Sequence, residues 1–100
     1  MREIEQQMCR AIRAGKAQWV SGNTRVRRDE TGVYVYLHGN LIAHGDSTRG
    51  WKFRLAGWNT PTTRSRINAL ASEFRPGAGV HCEQFIPYSN GRAVDTWEWF

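Results

Sequence analysis

The chain has 100 residues, enough for a single domain over 1–100 whose core needs neither disulfides nor a metal. At 40% hydrophobic and 23% charged it is not a disordered chain, and it holds no apolar run long enough to cross a membrane. The net charge of +5 is uneven: every charge between Glu5 and Asp29, and again between Asp46 and Glu73, is basic, which favours anionic partners.

Residues 2–14 read as a helix, because Ile4, Met8, Ala11 and Ile12 recur at helical spacing. Glu3 and Glu5 suit its first turn, Arg10 and Arg13 its last, and Gly15 its stop. The charged, polar start is no secretory signal. Lys16 to Val20 is a short extended segment, and Ser21-Gly22-Asn23 is a turn. Two runs then read as one hairpin, Asn23–Arg28 and Val33–His38, joined by Asp29-Glu30-Thr31-Gly32. Pairing Arg28 with Val33 sets Arg27 against Tyr34, Val26 against Val35, Arg25 against Tyr36 and Thr24 against Leu37. Side chains alternate along a strand. One face is therefore Thr, Val and Leu, and the other is Arg25, Arg27, Tyr34, Tyr36 and His38.

A second turn at Gly39-Asn40, of the type that takes glycine first, pairs Leu37 with Ile42, Tyr36 with Ala43 and Val35 with His44. Ile42 then joins the apolar face, Leu41 and Ala43 the tyrosine face. Residues 45–50 are a loop. Trp51 to Trp58 reads as a fourth strand, with Phe53 and Leu55 inward and Lys52, Arg54, Ala56 and Trp58 outward. Thr60-Pro61 starts a second helix over about Thr62–Phe74, whose apolar stripe is Thr63, Ile67, Leu70, Ala71 and Phe74. Val80–Pro87 and Arg92–Phe100 close the chain as a hairpin around Tyr88-Ser89-Asn90-Gly91, with Trp97 and Trp99 on one face of its last strand. The order αββββαββ predicts an α+β fold: a mainly antiparallel sheet with two helices packed on one face. The other face is open unless the final hairpin covers it with Trp97 or Trp99.

Two groups of residues carry candidate chemistry. Arg25, Arg27, Tyr34, Tyr36, His38, Arg54 and Trp58 would form a basic and aromatic surface, in which arginines hold phosphates and rings stack on bases. Thr62, Thr63, Arg64 and Arg66, with Thr60 and Ser65, crowd one helix start, where backbone N–H groups, hydroxyls and guanidiniums suit a phosphate. The bland alternative to both is a solvated face with arginine over tyrosine, and ordinary threonine capping. His38, His44, His81 and Cys82 have no zinc spacing, and His38 and His44 fall on opposite faces, so neither a metal nor a cofactor is expected. No nucleophile elbow, carboxylate pair or glycine-rich phosphate loop points to an enzyme. Cys9 and Cys82 are expected as buried free thiols of a reducing cytoplasm.

Three stretches carry a resemblance: Asn23-Thr24-x-Val26, then Leu37-His38-Gly39-Asn40-x-Ile42-Ala43, then Gly57-Trp58-x-Thr60-x-Thr62-Thr63-Arg64-Ser65-Arg66-Ile67-Asn68-Ala69-Leu70. Together they resemble small accessory proteins of tailed bacteriophages, over roughly residues 20 to 75 and not the final hairpin. The resemblance transfers no functional residue. It implies an accessory protein in the bacterial cytoplasm, where such proteins bind host machinery, nucleic acid or nucleotide defence signals. The expectation is a non-enzymatic binder of a phosphate-bearing ligand, single-stranded nucleic acid or nucleotide. The rivals are an inhibitor of a host or defence protein, anchored by Trp51, Trp97 and Trp99, and a protein that sequesters a cyclic or ADP-ribose-like nucleotide. Self-association is left open.

Overall fold

The structure, a computed structural model, describes residues 1–46 and 48–100. Helix α1 spans Glu3–Arg13, with acidic residues in its first turn and Arg10 and Arg13 in its last. Five strands follow: β1 Gln18–Ser21, β2 Thr24–Asp29, β3 Gly32–Leu37, β4 Asn40–Asp46 and β5 Gly50–Phe53. Helix α2 covers Pro61–Phe74, and the chain ends in β6 Val80–Glu83, β7 Ile86–Ser89 and β8 Arg92–Ala93. The first five strands form one antiparallel sheet in sequence order, and the last three form a second. The fold is α+β, as the element pattern predicts, and both helices pack on one face of the larger sheet.

The hairpin of β2 and β3 has the register that alternation predicts, from Thr24↔Leu37 to Arg28↔Val33. Val26, Val35 and Leu37 are buried against Met8, Ile12, Ile67 and Leu70 from the two helices. Phe53 and Leu55 complete this core, also as expected.

Four expectations are corrected. First, the extended segment before residue 21 is a full strand, β1, so five strands precede α2 rather than four. Second, the β3–β4 turn falls at His38-Gly39, both with positive φ (50° and 79°). Leu37 therefore pairs with Asn40, and Tyr36 with Leu41. The register then shifts, so that Val35 meets Ala43 and Tyr34 meets His44. The extra residue is Ile42, which stays inward, and Ala43 turns inward beside it. His44 moves to the tyrosine face. Third, the fourth predicted strand stops at Phe53; Ala56, at φ 55°, turns the chain and is buried instead of facing out. The expected loop over 45–50 is short, since Gly45 and Asp46 belong to β4 and Gly50 to β5, while Ser47 lies outside the described residues. Fourth, the final hairpin is two hairpins. Gln84 and Phe85, both at positive φ, turn the chain between β6 and β7, and Trp97 and Trp99 lie beyond any strand.

The second sheet neither extends the first nor covers its outer face. It packs beside α2, where the Asn68 amide donates to the carbonyl of Val80 at 2.9 Å and accepts from its N–H at 2.7 Å. The tail then runs along the outer edge of β5, where the Phe100 N–H donates to the Phe53 carbonyl at 2.7 Å. Arg75 pins the same edge through the carbonyls of Trp51 and Phe100.

Candidate functional site: a cation and ring ladder on the open sheet face

Directly opposed residues in an antiparallel sheet share a face. The register therefore builds two transverse rows on the face away from the helices. One row runs Gln18, Arg27, Tyr34, His44, Lys52; the other runs Val20, Arg25, Tyr36, Leu41. Arg54 continues the second row, since its Nε donates to the Leu41 carbonyl at 2.9 Å.

The rows are stacked. The Arg27 guanidinium lies 4.4 Å from the Tyr34 ring centre, and His44 stacks on Tyr34 at 4.3 Å with planes 8° apart. Arg25 lies 4.7 Å from the centre of Tyr36, whose opposite neighbour is Leu41. Tyr34 is thus already flanked by Arg27 and His44, and Tyr36 by Arg25 and Leu41. What the ladder presents outward is the hydrogen-bonding edges of guanidiniums, phenols and imidazole.

The two arginines differ in what holds them. Arg27 donates to Asp29 at 2.5 Å, Asp29 accepts from the Thr31 hydroxyl at 2.5 Å, and that hydroxyl meets the Tyr34 phenol at 2.5 Å. The Thr31 hydroxyl, then Arg27, hold the Asp29 carboxyl down to about 2, and Asp29 in turn raises the Arg27 guanidinium. Arg25 and Lys52 have no hydrogen-bond or ion-pair partner among the described residues, and both are exposed.

Arg54 joins the ladder to exposed tryptophans. Its guanidinium lies 4.6 Å from Trp99 and 5.6 Å from Trp97, and Trp97 is 59% exposed. The Trp97 indole leans over Gly57, where a Cβ would come within 2.8 Å of it. The backbone of Gly57, at φ 84°, also donates to the Thr96 carbonyl at 3.0 Å. Glycine at 57 is thus what lets the indole settle there.

The other expected site residues lie elsewhere. His38, Trp58, Thr62 and Thr63 line a cleft of about 550 Å³ at one end of the sandwich, floored by Leu37, Ile42 and Leu55. Thr63 is buried, and Thr60 caps α2 by accepting from its N–H at 3.2 Å. Arg64 donates to the side-chain amide oxygen of Asn59 at 2.5 Å.

Arg66 is a correction to the expected phosphate cluster. It is 4% exposed and points inward, donating to Glu5 at 2.8 Å, to the Thr24 hydroxyl at 3.0 Å and to Asn23 at 3.4 Å. Glu5, 2% exposed, also accepts from Ser65 at 2.6 Å and from the Arg2 N–H at 3.1 Å. This arginine closes a buried ion pair. The α2 start and the tyrosines lie on opposite sides of the sheet, so one chain does not join them into a single pocket.

Trp51, expected as an exposed anchor, is half-buried and stacked on Phe74 at 4.8 Å. Sequence reasoning, which took Gly39-Asn40 as the turn, left His44 off the tyrosine face. Taking His38-Gly39 as the turn residues would still have set His44 against Val33 on the apolar face; only the bulge at Ile42 brings it opposite Tyr34. Among the described residues no helix is long and apolar enough to cross a membrane, and no group of three His, Cys, Asp or Glu side chains is placed to hold a metal ion.

Neither the curated proteins nor the solved structures contain a match to this chain. A family model does match, and it extends past the expected residues 20 to 75 to include α1 and the C-terminal strands. The chain belongs to the Kyanoviridae Gp96 protein family, a family of cyanophage proteins, whose model matches residues 1–100.

Proposed function

We propose that this phage protein is a non-enzymatic accessory protein that binds single-stranded nucleic acid across its open sheet face. Arg25, Lys52 and Arg54 meet backbone phosphates, and Trp97 and Trp99 offer surfaces for bases. Tyr34 and Tyr36 hold guanidiniums in place rather than stacking bases themselves. The observation that carries this reading is Arg54, whose guanidinium lies 5.6 Å from Trp97 and 4.6 Å from Trp99 at the end of the row that holds Arg25, which has no ion-pair partner among the described residues. Cations and exposed rings alternate there along one surface, the combination that tracks a single strand without reading its sequence.

A titration of intrinsic fluorescence with an oligothymidylate tests it. Binding quenches tryptophan emission, and Trp97→Ala weakens it by about 1–3 kcal/mol. Unchanged affinity in Trp97→Ala and Arg25→Ala together removes this face from nucleic-acid binding. The rival reading, capture of a host protein, rests on the exposure of Trp58 and Trp97. A partner retained from host lysate after nuclease treatment and high salt would favour it.

A further inference from the structure

The two edges of the larger sheet are finished differently. The tail and Arg75 cover the edge of β5, but the edge of β1 is open. The Arg28 N–H donates to the Ala17 carbonyl at 2.9 Å, and the β1–β2 register runs without a shift from Gln18↔Arg27 to Ser21↔Thr24. Bonding alternates along an antiparallel pair, so Ala17, Trp19 and Ser21 direct their backbone groups at β2. Gln18 and Val20 direct an N–H and a C=O each away from it. Both residues are exposed, Val20 by 62%. β1 holds no proline and no charged side chain, which are common guards of a sheet edge.

The side chains beside that edge select what can add to it. On the helix side, Arg10, Ala11, Ala14, Lys16 and Trp19 line a cleft of about 310 Å³. No acidic residue lines it. Arg10 and Lys16 are exposed, and their side chains have no hydrogen-bond or ion-pair partner among the described residues. On the outer face Arg25 stands opposite Val20. A second copy of β1 would set two such groups of cations side by side, which disfavours self-pairing. A strand with acidic side chains meets both demands. Its backbone satisfies the free groups of Gln18 and Val20, its side-chain stems lie on Trp19, and its carboxylates reach Arg10 and Lys16. We propose that β1 takes up an acidic, extended segment of a partner protein as a sixth, antiparallel strand. This is independent of the nucleic-acid reading, which is carried by the Arg54 end of the outer face.

A capped octapeptide of alternating glutamate and valine, titrated into the whole chain and followed by NMR amide exchange, tests this. The Gln18 and Val20 amides should exchange fast in the free protein and slowly with peptide bound. A peptide with lysine for glutamate should bind roughly tenfold more weakly or worse. The glutamate peptide should lose at least as much on Val20→Pro, and on Arg10→Ala with Lys16→Ala. Val20→Pro removes an N–H that β2 does not use, so it should melt close to wild type, which separates lost docking from lost fold. With glutamates over the cleft, the valine N–H groups face β1, so N-methylation of the valines should abolish binding. No binding of the glutamate peptide, equal binding of the lysine peptide, or full binding to Val20→Pro overturns the proposal. So does slowing of the same amides without peptide at a mass of twice 11.5 kDa, which gives the edge to a second copy. Slowing of those amides by an oligothymidylate gives the edge to nucleic acid and overturns it as well.

Discussion

Arg66 and Arg25 stand on opposite sides of one sheet and show two uses of the same guanidinium. Arg66 is sealed under α1 and β2, with Glu5, Thr24 and Asn23 around it. Arg25 lies in solvent over Tyr36 with no carboxylate partner among the described residues. A buried charge must be matched atom by atom, so Arg66 is committed to the fold. An exposed one is stabilised weakly by its ring and remains available to a ligand.

The largest effects should come from the buried side. Arg66→Met leaves Glu5 as an uncompensated buried carboxylate and should destabilise the protein by about 3–5 kcal/mol in chemical denaturation. Adding Glu5→Leu should recover most of that loss, because a buried pair is often no better than apolar groups of the same volume. If the single variant lost less than about 1 kcal/mol, the division between the two arginines would collapse.

Arg25→Ala should behave in the opposite way. Stability should fall by under about 1 kcal/mol, the scale of an exposed cation and ring pair. Affinity for single-stranded nucleic acid should drop, and the log–log salt slope should shrink by about 0.7 for the lost phosphate. A large loss of stability with no change in salt slope would make Arg25 a structural residue like Arg66.

The next effect again belongs to the inner side. Burial, then Glu73, push the Cys9 thiol up to about 11. Its folded value lies above its unfolded one, so its contribution is complete below the ordinary thiol range and is lost as pH rises through about 11. Wild type should therefore lose more stability than Cys9→Ala between pH 9 and 11, read by thermal melts. Cys82, only half-buried, should react with a thiol reagent before Cys9 does. The smallest effect concerns the tethered arginine on the outer face. Asp29→Asn releases Arg27 and removes a negative charge, so affinity in the same titration should rise slightly; a fall would show that the Asp29 tether aids binding.

The hairpin of β2 and β3 was legible because its pattern is local: period-two alternation on both strands and a short polar turn leave one register that buries Val26, Val35 and Leu37 together. The next pairing was not, because one residue of bulge at Ile42 undoes a register inferred from alternation alone. Arg66 looked like a partner for a phosphate at a helix start. Only its position on the inward face, opposite Glu5 from sixty-one residues earlier, shows otherwise. The Gln84-Phe85 turn left no signal, since neither residue is one that turns favour.

The sequence by itself determined the two-faced sheet, the two helices and the meeting of arginines with tyrosines, all of which follow from spacing between near neighbours. Tertiary structure alone decided which arginines remain in solvent, that Trp97 and Trp99 meet Arg54, and that the second sheet leaves the outer face open. Those outcomes depend on contacts between residues distant in the chain. Burial and the pairing of charges operate there through three-dimensional neighbours, which linear spacing does not encode.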